Sequence, residues 1–122
     1  MANVYLDTNI FVDIIEERNN INFESFWEHK LFTSPLSLHI LIYTYKYRVP
    51  NKKLHESHGY LTFIPFDSKI VQDALLGPTT DFEDNVQLHS AVKEDCEIFL
   101  TRDKELLNMK FFGKMKIVKE IE

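Results

Sequence analysis

Val4-Tyr-Leu-Asp-Thr-Asn-Ile-Phe11 is the stretch of sequence that decides the fold. Its first three residues are apolar, as in a short buried strand, and Asp7 ends that strand. From Ile10 to Ile15 the apolar residues then recur at the spacing of one helix face. A strand that is followed at once by a helix predicts the first unit of an α/β fold, with Asp7 at the carboxyl end of its strand.

The same alternation continues along the chain. Strands are predicted at residues 4–6, 31–33, 60–66, 97–101 and 115–118. Helices are predicted at residues 10–15, 23–29, 37–49, 67–76, 80–93 and 103–109, and residues 51–59 are expected to form a loop or a ragged helix end. Because helices separate the strands, right-handed crossovers are expected to join them into a mostly parallel, five-stranded sheet.

Residues that commonly cap helices predict where some of these helices begin. Ser37 is the expected N-cap of the third helix, and Asp67 or Ser68 that of the fourth. Thr80 and Glu83 have the spacing of a capping box, in which each side chain accepts a hydrogen bond from the backbone of the other residue.

Length and composition indicate one soluble domain that spans residues 1–122. The hydrophobic fraction of 44% and the charged fraction of 27% are ordinary for a globular protein. No apolar run approaches the roughly 18 residues of a membrane span, and the first residues do not resemble a cleavable signal. The single cysteine, Cys96, cannot form an internal disulfide and is expected to be a small buried hydrophobe. These features predict a cytoplasmic protein without a membrane partner.

The net charge of −5 argues against a protein that holds nucleic acid by a general basic field. It does not exclude an enzyme that acts on nucleic acid, because carboxylates gathered around a metal ion contribute negative charge themselves. Basic residues cluster at 46–53 and at 110–119, and the favoured interpretation of each cluster is a solvated face.

Three aspartates stand at the ends of predicted elements. Asp7 ends the first strand, Asp103 follows the strand Ile98-Phe-Leu, and Asp84 lies in the first turn of a helix. In an open α/β sheet ligands bind beyond the carboxyl ends of the strands, so these side chains are expected to converge. Converging carboxylates repel one another unless a cation lies between them. The pattern therefore predicts a divalent metal site.

Each acid also has a purely structural alternative. Asp7 and Asp103 have the position of helix N-caps, and a cap is the favoured role of Asp81. Asp84 is harder to explain in this way. It lies four and seven residues before Leu88 and Ala91, on the helix stripe that is expected to face inward, where a carboxylate needs a charged partner or a metal.

Three motifs occur in a recognisable order: Leu6-Asp-Thr-Asn-Ile-Phe, Asp81-Phe-Glu-Asp-Asn-Val-Gln and Leu100-Thr-Arg-Asp. The ordered set, which covers the whole chain, resembles the PIN domain family, including the VapC-type ribonuclease toxins of prokaryotic toxin–antitoxin pairs. The resemblance implies a three-layer fold with a five-stranded parallel sheet between helices. It also implies Mg²⁺ or Mn²⁺ held by Asp7, Asp84 and Asp103. Thr101 is then expected to support the site by hydrogen bonding, and Asn9 to orient the first of these acids.

By the same resemblance the protein is expected to be a metal-dependent endoribonuclease that hydrolyses RNA phosphodiester bonds. A cognate antitoxin laid across the active-site groove and a homodimer are the expected partners. The homodimer is expected to use part of an aromatic surface, formed by Phe23, Phe26, Trp27, Tyr43, Tyr45 and Tyr47.

One position departs from the family pattern. Where PIN nucleases usually carry a glutamate in the helix after the second strand, this chain has Ile40. Either Asp81 or Glu83 takes its place, or three carboxylates and water hold the metal. A PIN-fold module that binds RNA or protein without cleavage is therefore the alternative function.

Two other kinds of site are not supported by the sequence. A receiver-like phosphoacceptor domain fails because no aspartate closes the strand that ends at Phe66. His55 and His58 have the spacing of metal ligands, but a second ligand pair for zinc does not accompany them.

Overall fold

The computed structural model of the protein describes residues 1–121. Six strands form a single sheet in the order β3-β2-β1-β4-β6-β5. Their bounds are β1 Asn3–Leu6, β2 Lys30–Thr33, β3 Thr62–Phe63, β4 Ile98–Leu100, β5 Phe111–Phe112 and β6 Met115–Val118. All described strand pairs are parallel except β5 with β6. The predicted α/β fold with a mostly parallel sheet is therefore confirmed.

Helices and short 3₁₀ turns join the strands. The helices are α1 Thr8–Ile15, α2 Pro35–Tyr45, α3 Lys52–Glu56, α4 Ser68–Leu76, α5 Phe82–Lys93 and α6 Lys104–Met109, and the 3₁₀ turns are Phe23–Phe26 and Ser57–Gly59. In the part of the chain that the structure describes, no helix has the length and apolar character needed to cross a membrane.

The sheet has a hydrophobic core on each face, because successive strand side chains point to opposite sides. Val4 and Leu6 of β1 belong to the core that includes α1, α2 and α3. Tyr5, between them, belongs to the core that includes α5 and α6. Cys96 lies in this second core at 5% exposure, as predicted, and burial raises the pKa of its thiol to about 12. The sheet is thus the middle of three layers.

The sheet has six strands where five were predicted. The additional strand, β5, pairs with β6 as a hairpin of two residue pairs. Gly113 in the connecting turn has φ +61, a left-handed conformation that favours glycine. A strand of two residues is too short to show an alternating pattern, so periodicity does not reveal it.

Several element boundaries also differ from the prediction. Helix α2 is capped by Ser34, whose side chain accepts a hydrogen bond from Leu36 N at 3.1 Å, and not by Ser37. Pro35 at the first helical position favours this earlier start. The helix ends at Tyr45, because the next residue, Lys46, adopts a left-handed conformation with φ 55.

Helix α5 does not have the predicted capping box. Asp81 is its N-cap and accepts from Asp84 N at 2.9 Å, in place of Thr80, while the Glu83 side chain points to another partner. The predicted strand at 60–66 is reduced to Thr62–Phe63. Asp67 caps α4 as predicted, through a bond from Ile70 N at 3.0 Å.

Phe99 gives a direct test of the central layer. It is fully buried and stacks on Tyr5 with ring centroids 5.3 Å apart. We expect Phe99→Ala to lower the free energy of unfolding by about 3–5 kcal/mol, because it removes apolar contacts and leaves a cavity. Phe111→Ala, at a residue that is 55% exposed, is the control and should cost about 0.5 kcal/mol or less. Urea unfolding of both variants measures the difference, and equal losses would contradict this account of the core.

Candidate metal centre

The candidate centre lies where the order of the strands reverses. From β1 the chain adds β2 and β3 on one side, and then places β4 on the other side of β1. The carboxyl ends of β1 and β4 therefore flank a crevice of the kind in which open α/β sheets bind ligands. Asp7 follows β1 directly, and its N–H donates to Leu100 O, at the end of β4, at 3.0 Å.

Three carboxylates meet at this edge. Asp7, Glu83 and Asp84 each offer an oxygen, and the three oxygens lie within 4.8 Å of one another. Asp103 lies outside this group, yet near enough for its charge to raise the pKa values of Asp7 and Asp84. Of the three aspartates singled out in the sequence, the structure brings two together directly, adds Glu83, and leaves the third at the margin.

The Asp7 carboxylate is held in a fixed orientation. It is 3% exposed, and three donors reach it. Thr8 N donates to Oδ1 at 2.8 Å, while Thr101 Oγ1 and Asn9 Nδ2 donate to Oδ2 at 2.7 and 3.3 Å. Since hydrogen bonds to the charged form favour ionisation, these contacts oppose the effect of burial on Asp7.

Thr101 links Asp7 to Asp103. Its hydroxyl donates to Asp7 and accepts from Asp103 N at 3.0 Å and from Asn9 Nδ2 at 3.2 Å. Asp103 itself is the N-cap of α6, where its Oδ1 accepts from Glu105 N at 2.8 Å. Asp103 thus has the predicted cap role, whereas it does not join the three clustered carboxylates, and its role as a metal ligand stays a prediction.

Glu83 is oriented by a polar network that runs below the site. Its Oε2 accepts from Thr8 Oγ1 at 2.8 Å. Thr8 Oγ1 also accepts from Gln87 Nε2 at 3.1 Å and lies 2.9 Å from Ser37 Oγ. Tyr5 donates its hydroxyl to Gln87 Oε1. Gln87, Ser37 and Tyr5 are fully buried, so the network fixes Thr8 and, through it, Glu83.

Sequence reasoning did not assign Thr8, Ser37 or Gln87 to the site. One signal was available for Gln87, because it follows Glu83 by four residues on α5 and so shares its helix face. Ser37 lies one turn before Ile40 on α2, and it approaches the site with a hydroxyl. Glu83 therefore supplies at this edge a carboxylate that Ile40 does not, while Asp81 is exposed and caps α5.

The three carboxylates are electrostatically strained. Burial raises the pKa of Asp7 to about 6, with a further increase from the charges of Glu83 and Asp103. Burial also raises the pKa of Asp84 to about 7, and the neighbouring charge of Asp7 adds to this effect. The pKa of Glu83 is raised as well, mainly by burial. A cation among the three oxygens would relieve this strain by favouring their charged forms.

The donor set fits a hard divalent cation. It consists of carboxylate oxygens alone, which suit Mg²⁺ and Mn²⁺ and lack the nitrogen and sulfur typical of structural zinc sites. Within residues 1–121, no second group of three or more potential metal-binding side chains meets. The exposed rings of His55 and His58 are 6.1 Å apart and belong to no such group.

Comparison with known proteins gives a consistent result. The family model of the PIN domain matches residues 4–112. A chain in the crystal structure of VapBC2 from Rickettsia felis, bound to a DNA fragment from their promoter, is similar in fold, with a TM-score of 0.67 and 16% sequence identity. The similarity covers 95% of this chain and 97% of that one. No curated protein sequence matches the chain.

The raised pKa values predict how stability depends on pH. Folded Asp7 and Asp84 retain protons that the unfolded chain has already released, so their contribution to stability is complete below about pH 4. It is lost as pH rises through about 6 for Asp7 and about 7 for Asp84. For Asp7 the shift corresponds to roughly 3 kcal/mol. We expect urea unfolding in EDTA to show falling stability from pH 5 to 8.

Asp7→Asn should remove most of the Asp7 part of this slope, because the amide does not titrate. Asp73→Asn is the matched control, since Asp73 pairs with Lys69 on α4, away from the three carboxylates, and should keep the wild-type slope. A wild-type slope in Asp7→Asn would show that the fold does not raise the pKa of Asp7.

Proposed function

The chain belongs to the PIN domain family, and from this we propose that it is a metal-dependent endoribonuclease of the VapC toxin type. The reaction is hydrolysis of RNA phosphodiester bonds. The observation that carries the proposal is the meeting of Asp7, Glu83 and Asp84 at the carboxyl edge of the sheet. Negative charges this close together lower the stability of the fold. Such a loss is expected where a bound cation would offset it, as at functional sites.

We assign Asp7, Glu83 and Asp84 as the residues that hold Mg²⁺ or Mn²⁺. When bound, such a cation supplies Lewis-acid polarisation of the phosphodiester and a source of nucleophilic water at neutral pH. Asp103, at the margin of the group, is assigned an outer position in which its charge adds to the attraction for the cation. This assignment differs from the sequence hypothesis, in which Asp103 was a direct ligand, because Glu83 now takes that role.

The protein's own residues supply orientation. Asp7 and Glu83 are held by Thr101 and Thr8, so their oxygens remain in place without the cation. Asp84 differs, because no donor among the described residues reaches its carboxylate. Its side chain is thus the one free to adjust when a cation and the RNA phosphate enter. Fixed ligands with one adjustable member suit a site that must bind substrate and release product.

The alternative function is a binding module of the same fold that has lost cleavage. Ile40 favours it, because the acid usual at this position in the family is absent. Glu83 favours the nuclease, because Thr8 directs its carboxylate to Asp7 and Asp84. The two functions differ in whether RNA is cut and not in whether the fold is retained.

We also propose a cognate antitoxin and a homodimer as partners. The aromatic surface expected for the homodimer is smaller than the sequence suggested. Four of its six residues pack at least partly against the core: Phe23, Phe26, Tyr45 and Tyr47. Trp27 and Tyr43 remain exposed at 80% and 79%, and they are the residues we assign to contacts between proteins.

Loss of the carboxylates should abolish RNA cleavage while the fold remains. We expect Asp7→Asn, Glu83→Gln and Asp84→Asn each to lower the rate with Mg²⁺ or Mn²⁺ by about 100-fold or more, because each removes charge that holds the cation. Double variants should add little, since the residues act as one unit. Asp73→Asn is again the control and should cleave at the wild-type rate. Cleavage of a fluorogenic single-stranded RNA, with gel analysis of the products, measures the rate of each variant and of the control.

Ile40→Glu separates the two functions. If Glu83 already serves in place of the family glutamate, this variant should gain little affinity for the metal and little rate. If the wild-type protein cleaves no RNA and Ile40→Glu restores cleavage, the wild type is the binding module. Failure of both proteins with both metals would contradict the nuclease assignment.

The homodimer should be visible in solution. We expect light scattering at high micromolar concentration to give twice the mass of the 14.5 kDa chain. Trp27→Ser combined with Tyr43→Ser should shift the equilibrium towards the monomer, because exposed aromatic rings commonly anchor interfaces. A wild-type monomer at that concentration would contradict the proposal.

A further inference from the structure

A fourth buried carboxylate lies close to the centre without belonging to it. Asp13, on α1, is 2% exposed and is not one of the clustered acids. Its Oδ2 lies 2.8 Å from a guanidinium nitrogen of Arg102 and accepts from Asn19 Nδ2 at 3.0 Å. A buried carboxylate needs such partners, since an unpaired charge would be costly.

Arg102 is held to α1 at two points. Its side chain pairs with Asp13, and its backbone N–H donates to Asn9 Oδ1 at 3.2 Å. Asn9 and Asp13 are four residues apart on α1 and therefore share one face of the helix. One face of α1 thus binds both the backbone and the side chain of the same residue.

The position of Arg102 in the chain gives this attachment its importance. Arg102 stands between Thr101, which donates to Asp7, and Asp103. Thr101 is still anchored to the sheet, through its N–H to Val118 O at 3.0 Å. After Thr101 the chain leaves the sheet, and the next residue, Arg102, binds to α1 through Asn9 and Asp13.

We propose that Asp13 and Arg102 are positioning residues of the metal centre. Their ion pair fixes residues 101–103 against α1, and this sets the orientation of Asp7 and the distance of Asp103. The inference rests on the proposed function, since it assigns the pair to the same site. Neither residue belongs to the group of three clustered carboxylates. Stability alone explains the pair poorly, because the Arg102 side chain is 48% exposed and ion pairs that reach solvent contribute little to stability.

The charges of the pair make this role testable. If the two residues acted on the cation only through their fields, Arg102→Gln would strengthen Mn²⁺ binding and Asp13→Asn would weaken it. If they position the ligands, both variants should weaken it. We expect a loss of about 10-fold in Mn²⁺ affinity for each, the effect typical of residues that orient metal ligands. Arg102→Lys keeps the charge and should recover affinity to within about 3-fold of wild type.

Asn19→Gly is the matched control. It removes the other hydrogen bond to the same Asp13 oxygen and leaves the ion pair intact. Asn19 has φ 58, a conformation that glycine adopts without strain. Its Mn²⁺ affinity should stay within about 2-fold of wild type, because the attachment of Arg102 to α1 is unchanged. Isothermal titration with MnCl₂ measures affinity, and thermal unfolding without metal shows that each variant is folded.

The outcomes separate this inference from the function on which it rests. Wild-type protein that binds no Mn²⁺ would overturn both. Wild-type binding that is unchanged in Asp13→Asn and Arg102→Gln would overturn the positioning role alone, as would opposite effects of these two variants. An equal loss in Asn19→Gly would also overturn it, by showing that any disturbance of Asp13 suffices. If Asp13→Asn does not fold, the comparison of Arg102→Gln with Arg102→Lys decides the question.

Discussion

The charge of Asp7 is the constraint on which the rest of the site depends. The side chain is almost fully enclosed at the end of the central strand, with Glu83 and Asp84 close by. Burial and like charges favour its protonated form, while the hydrogen bonds from Thr101 and Thr8 favour the charged one. The neighbouring elements supply the hydrogen bonds that favour the charged form. Thr101, directly after β4, supplies the hydroxyl donor and α1 supplies the amide donors, so that the carboxylate is held in one orientation.

The way in which the Glu83 carboxylate is held follows from this arrangement. Thr8 donates its backbone N–H to Asp7 and its hydroxyl to Glu83, so that one residue orients two acids. The hydroxyl is in turn fixed by buried Ser37 and Gln87. Two helices from opposite sides of the sheet, α2 and α5, thus meet at one oxygen. The helix that usually carries the family glutamate still contributes to the centre, through a serine in place of an acid.

Much of the fold and part of the site follow from sequence because the signals are local. Asp7 stands directly after an apolar strand and Asp103 follows another within three residues, and periodicity together with the carboxyl-edge rule places both at one edge of the sheet. The sixth strand and the start of α2 were missed, because two residues show no period and Pro35 outweighs the cap expected from Ser37. The contact of Thr8 with Glu83 joins residues 75 positions apart, and the pairing of Asp13 with Arg102 is equally non-local. Patterns within a short window contain no information about such pairs.

The site is assembled from distant parts of the chain, and this has a consequence for the order of its formation. The hydroxyl that orients Asp7 comes from a residue 94 positions later. Strand β4, which brings it there, pairs with β1 only after nearly the whole chain exists. A growing polypeptide therefore carries Asp7 with its neighbouring donors Thr8 and Asn9 from the start, but lacks the Thr101 hydroxyl until β4 has been made. Long-range pairing of this kind forms late in folding. The complete set of contacts around Asp7 thus belongs to the finished protein and is absent from the nascent chain.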